Sequence, residues 1–151
     1  MPKASIKRLI ECKKKDLINL VLDIEKYPEF IPFCHDAKIY EKKDLENSIK
    51  IIADLTIGKG PFKDTYKSDV LFNKEDSTIY VKNIDGPLNH LSNTWIFNQQ
   101  NNKTEIIFEI DFEIKNKFLN TVMAASFNFG LEKIADAFQK RAEDLFSNLK
   151  N

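Results

Sequence analysis

Glu105–Ile114, reading EIIFEIDFEI, and Asn120–Leu149, reading NTVMAASFNFGLEKIADAFQKRAEDLFSNL, carry the two periods that decide the architecture. In the first, Ile106, Phe108, Ile110, Phe112 and Ile114 alternate with Glu105, Ile107, Glu109, Asp111 and Glu113, so one strand face is apolar and the other wet. Burying the apolar set at roughly 1.5–3 kcal/mol per side chain contributes on the order of 10 kcal/mol before entropy is charged. A slip by one residue turns the carboxylates inward, which fixes the register. In the second segment the spacing becomes helical. Leu131, Ile134, Ala135, Phe138, Ala142, Leu145, Phe146 and Leu149 form one stripe, with Glu132, Lys133, Asp136, Lys140 and Glu143 opposite. Asn116 or Asn120 is placed to cap the helix start. Val122, Met123, Phe127 and Phe129 make its first turns apolar on more than one side, and Gly130 permits a bend or a close approach.

Upstream, the alternation Ile49, Ile51, Ala53, Leu55, Ile57 predicts a strand ended by Gly58 and Gly60-Pro61. Phe62–Phe72 alternates again, with Asp64 and Ser68 on the side of Phe62, Tyr66, Val70 and Phe72. Thr78–Asn83 and Leu91–Phe97 follow, with Asp85-Gly86-Pro87 and the polar run Asn98–Lys103 as loops. Ala4–Ile10 is a first strand, Ala37–Tyr40 a weaker one, and Lys14–Glu25 a helix built on Leu17, Ile18, Val21, Leu22 and Ile24. The expected fold is α+β. About seven short strands make a curved antiparallel sheet whose concave face takes the stripe of the long C-terminal helix, with an apolar cavity between them. Neither a repeat nor a linker interrupts the chain, so one domain over 1–151 is expected.

Val21–Cys34, VLDIEKYPEFIPFC, gathers Tyr27, Phe30, Ile31 and Phe33 into a compact apolar flap. Pro28 and Pro32 bias Tyr27 and Ile31 away from the helical well, so both residues are expected to mark bends. The flap reads either as a plug for the end of the core or as a lid over a ligand. Polar residues within the alternating strands favour a hollow: Asp64 and Ser68 on one strand, and Asn93 on the face of Leu91, Trp95 and Phe97. A swapped face or an edge-exposed strand is the alternative explanation.

Composition excludes several functions. Lys plus Arg and Asp plus Glu both number 23 in 151 residues, so no global field attracts DNA, and partners must be recognised locally. Lys13-Lys14-Lys15 reads as a hydrated surface with the means to touch phosphate. Cys12 and Cys34 are expected to be reduced thiols of a cytoplasmic protein, and any membrane contact is expected to be peripheral. His35 and His90 have no metal-ligand spacing, the glycines form no phosphate loop, and Glu109, Asp111 and Glu113 sit on the wet side of their strand. Neither a metal site nor a catalytic cofactor nor a catalytic residue is therefore expected.

Three ordered motifs resemble the coenzyme Q-binding START-domain family, which includes RatA-type ribosome association toxins within the wider polyketide cyclase/dehydrase-like group. They are Asp23–Cys34, Asp85-Gly86-Pro87 through Leu91 to Trp95-Ile96-Phe97, and Asp111–Asn116. Ala137–Ala142 resembles the family's C-terminal signature. Leu88 departs from the phenylalanine common after Gly-Pro but keeps an apolar group there. The resemblance implies a START or Bet v 1-like helix-grip fold whose cavity holds ubiquinone or a similar prenylated quinone, as a carrier or chaperone in respiration. It also implies that the Tyr27–Phe33 flap, with Pro28, Phe30 and Ile31, the turn at Leu88 and Leu91, Trp95 and the first helical turns at Val122, Met123 and Phe127 surround the ligand. Phe108 and Phe112 complete the expected lining, and Asp64, Tyr66, Ser68 or Asn93 would orient the ring carbonyls. Two other functions belong to the same group: a toxin that binds the large ribosomal subunit and blocks subunit association, and a polyketide aromatase/cyclase in which Asp64 assists proton transfer.

Overall fold

The alternating segments pair as their periods require. In the computed structural model, which describes residues 3–58, 61, 63–85, 88–114 and 117–146, seven strands form one sheet in the order β1-β7-β6-β5-β4-β3-β2. The strands are β1 (Lys3–Ile10), β2 (Cys34–Asp44), β3 (Ser48–Ile57), β4 (Asp64–Asn73), β5 (Thr78–Asp85), β6 (Leu88–Gln100) and β7 (Lys103–Ile114). Every pairing is antiparallel. After β1 the chain crosses to the far edge through α1 (Lys14–Leu22) and a 3-10 turn (Ile24–Glu29), then meanders back until β7 lies beside β1. The long helix α2 (Lys117–Phe146) follows.

Local chemistry moves several boundaries. The first helix stops at Leu22 instead of Glu25, because Asp23 leaves the helical well with ψ 65°. Tyr27 and Pro28 lie inside the 3-10 turn and not at bends. Proline is tolerated there because the turn's bonds, Lys26 N–H to Asp23 and Phe30 N–H to Tyr27, never call on residue 28 as donor. Strand β2 is far longer than Ala37–Tyr40; a bulge between Ile39 and Glu41 breaks its alternation, and the charged run Glu41–Asp44 hides the rest. The run Asn98–Lys103 narrows to a tight turn at Asn101 and Asn102, with Asn101 at φ 59°, and its flanks join β6 and β7. Asn120 lies within α2, past its first residue Lys117, and not at its start. Asn116, Phe62, Pro87 and Leu149 fall outside the described residues, as do the side chains of Leu88, Val122, Met123, Phe127 and Phe129.

The α1 start has no cap from its own Lys13 side chain, and Lys14 N–H donates instead to Gln99 Oε1 at 2.8 Å. Register aligns Ile49, Phe72, Ile79, Trp95, Phe108 and Ile6 in one row across the concave face. The C-terminal half of α2 lies on that end of the sheet. Arg8 reaches Asp136 Oδ1 at 2.5 Å, and Glu11 N–H donates to Glu143 Oε2 at 3.1 Å. Leu17, Ile10, Ile51 and Ile79 are almost fully buried. Ile79→Ala is expected to cost about 2–5 kcal/mol in urea unfolding. Tyr80→Ala, one residue on but on the outer face, should cost less than about 1 kcal/mol; equal losses would contradict the assigned faces.

Candidate functional site

The concave face changes character along the strands. The row through Ile79 and Trp95 is dry. The next row, Ile51, Val70, Val81, Asn93 and Ile110, introduces an amide, and the following one places Ala53, Ser68 and Asn83 side by side on neighbouring strands. Beyond these, Leu55 faces Tyr66 and Leu91 faces Phe112. Leu55, Tyr66, Val81, Leu91, Asn93, Phe108 and Ile110 point inward and are only half-buried.

Trp95 anchors the dry end. Its ring lies 4.5 Å from Phe108, 5.1 Å from Phe138 and 6.5 Å, stacked, from Phe97. Its indole N–H donates to Asn93 Oδ1 at 3.0 Å. Beneath α2, Ile6, Arg8, Trp95, Phe108, Ile134 and Phe138 enclose a void of about 20 Å³, room for about one water.

The flap packs on the same helix. Tyr27 and Phe30 meet Phe138 edge-on at 5.5 and 5.3 Å. The Tyr27 hydroxyl donates to the Val21 carbonyl, and burial pushes its pKa up. Arg141 donates to Glu29 Oε1 at 2.9 Å while its guanidinium lies 5.1 Å over the Phe30 ring. The bond from Arg141, helped by Lys26, holds the Glu29 carboxyl below its ordinary range. Ile31 and Pro28 are half-buried, Ile31 against the core. Phe33 instead turns outward, 40% exposed, at a left-handed φ of 68°, with its carbonyl accepting Gly58 N–H at 2.9 Å. Tyr27, Phe30 and Ile31 thus plug one end, and the exposed Phe33 is the part of the flap that reaches solvent.

Of the polar candidates, Ser68 is 3% exposed and Asn93 faces inward beside Trp95. Tyr66 is half-buried, its phenol pKa raised by burial with Asp64 adding to the effect. Asp64 itself is exposed at the start of β4, where its carboxylate accepts Thr65 N–H at 2.9 Å. Phe112 is buried, and Leu91 stands opposite it. Sequence reasoning passed over Asn83, which shares the parity of Ile79 and Val81, and the Glu29–Arg141 latch, which nothing local signals. His35 Nε2 lies 2.7 Å from the Gly58 carbonyl, and His90 Nε2 lies 3.5 Å from Asp111 on the outer face. Among the described residues, no three His, Cys, Asp or Glu side chains group as metal ligands, and no helix is long and apolar enough to cross a membrane.

A curved antiparallel sheet gripping a long C-terminal helix is the START-type helix-grip architecture. It matches a START superfamily protein from Mycobacterium smegmatis with a TM-score of 0.81 at 15% identity, over 96% of this chain and 99% of that one. The chain belongs to the polyketide cyclase / dehydrase and lipid transport family, whose model matches residues 13–139. It is 33% identical over 141 residues to the ribosome association toxin RatA of Rickettsia prowazekii, covering 91% of this chain and 94% of the relative. It is also 32% identical over 133 residues to a mitochondrial coenzyme Q-binding protein of Dictyostelium discoideum, covering 86% of this chain and 63% of that protein.

Both cysteines are free and buried. Burial, with Asp16 and Glu143 nearby, pushes the Cys12 thiol up to about 12, and burial raises that of Cys34. Since the thiolate is the nucleophile, the folded protein should resist iodoacetamide at pH 8 and take up label at both positions only in denaturant. Rapid labelling of the native protein would contradict this burial.

Proposed function

We propose that the chain binds ubiquinone or a similar prenylated quinone or lipid on the half-open end of its concave face, as a carrier or chaperone in respiration and not as a catalyst. The observation that carries this is the join of a dry aromatic end to a half-buried apolar surface bearing a few inward polar groups, which is the make-up of a small-molecule site. Similarity to a coenzyme Q-binding protein over 86% of the chain supports it. The proposed lining keeps Tyr66, Ser68, Leu91, Asn93, Phe108 and Phe112 from the strands. Trp95 and the Tyr27, Pro28, Phe30 and Ile31 part of the flap form its end wall. Affinity comes from stripping water off the tail.

Phe33, projecting from the flap, suits brief contact with the inner membrane by a cytoplasmic protein. Asp64 stands exposed at the start of β4, beyond the polar rows, which speaks for binding over cyclase chemistry. Organic extraction of protein purified from a quinone-producing host should yield a prenylated quinone by mass spectrometry, and added quinone should raise Tm. An extract without quinone and an unmoved Tm together would end the proposal.

The RatA relative favours a second function, association with the large ribosomal subunit. Lys13 and Lys15 are exposed and Lys14 half-buried at the start of α1, which suits a local phosphate contact. Lys140 of α2 faces Asp144 at 3.4 Å and suits it less well. Cosedimentation with ribosomal subunits should be strong at low salt, fall steeply as salt rises, and weaken on replacing Lys13, Lys14 and Lys15 by Glu. Lack of cosedimentation at low salt would eliminate this role.

A further inference from the structure

The inner face holds polar groups whose hydrogen-bonding sense is already set. Trp95 Nε1 carries only a hydrogen to give, so the Asn93 atom 3.0 Å away must be its carbonyl oxygen. That contact fixes the amide and leaves its NH₂ turned from the indole, without a partner among the described residues. Ser68 lies on the same inner face and is 3% exposed. A half-buried amide NH₂ that faces inward gains from a partner able to accept its hydrogens. Ser68 and Asn93 stand two strands and one inward row apart, with β5 between them, roughly 12 Å from Cα to Cα at the usual strand spacings. A six-membered ring with an oxygen at each end, and one hydrogen bond to each side, fits such a span.

We propose that Asn93 and Ser68 form a subsite, biased toward donation, that selects the oxidised, carbonyl-bearing quinone over its reduced quinol. This rests on the quinone assignment made above. A quinone oxygen only accepts, which suits the Asn93 NH₂. A quinol oxygen can accept the same bond but also brings an O–H that needs an acceptor, and the Asn93 oxygen that could take it already shares one of its two lone pairs with Trp95. Ser68 can both give and accept, so it serves either form, and the discrimination falls on Asn93. In a carrier, this polarity would load the protein with oxidised ligand and favour release after reduction.

The test is calorimetric titration of the full chain with decylubiquinone and, under argon, with its reduced form. Wild type should bind the oxidised form about tenfold more tightly, the worth of roughly one mismatched hydrogen bond. Asn93→Asp, nearly isosteric and without the NH₂ donors, should reverse the order. Asn93→Leu, which introduces no charge, should bind both forms alike, and Ser68→Ala should weaken both without changing their ratio. Circular dichroism would verify that each variant folds. Equal wild-type affinity for the two forms overturns the proposal while leaving quinone binding intact. Binding of neither form to wild type overturns the quinone assignment itself.

Discussion

Phe138 is the contact on which the dry end of the molecule depends. Its ring meets Trp95 of the sheet at 5.1 Å and Phe30 and Tyr27 of the flap at 5.3 and 5.5 Å, each close to perpendicular. Such pairs add about 0.5–1.5 kcal/mol apiece beyond the area they bury. The helix carrying Phe138 is held to β1 by Arg8 and Asp136 and to the flap by Arg141 and Glu29. Sheet, helix and flap are thus pinned through neighbouring turns of α2, and a displacement of that helix is felt by the flap as well.

The same pin explains the direction of the site. Where Phe138 presses on the sheet, side chains fill the space down to a void of about 20 Å³. Along the strands, apolar residues give way to Asn93, then to Ser68 and Asn83. A chain selected only for packing has little reason to place an amide and a hydroxyl in adjacent inward rows, because each must find a partner or pay for its desolvation.

Much of this was legible in sequence because strong periodicity leaves few options. The alternation at Ile49–Ile57 and Glu105–Ile114 gave the inward faces of β3 and β7, and the stripe from Leu131 to Leu149 gave the helix, described over Lys117–Phe146. What stayed hidden had physical causes. The bulge after Ile39 shifts the phase of β2, so its second half does not alternate in step with its first. The 3-10 turn accepts Pro28 because its bonds skip that residue, which composition cannot show. Arg141 and Glu29 lie far apart in the chain and meet only once the fold exists. The polar candidates were half legible: parity identified Ser68 and Asn93, but only the register of β4 against β5 set Asn83 beside Ser68 and only the fold left Asp64 in solvent.

Strand β2 ends the sheet, and an end strand offers unpaired backbone groups to any passing chain. Here the exposure is divided between two guards. Over its first half the 3-10 turn lies alongside, and the Glu25 carboxylate takes the Ile39 N–H at 2.9 Å, occupying a site where an intruding strand would bond. Over its second half Glu41, Lys42, Lys43 and Asp44 surround the backbone with charge just past the bulge. A protein with this much β-structure and no net charge lacks the general repulsion that keeps many others apart in solution. At this edge, resistance to stacking strand on strand, and so to fibre growth in a crowded cell, falls to these few residues.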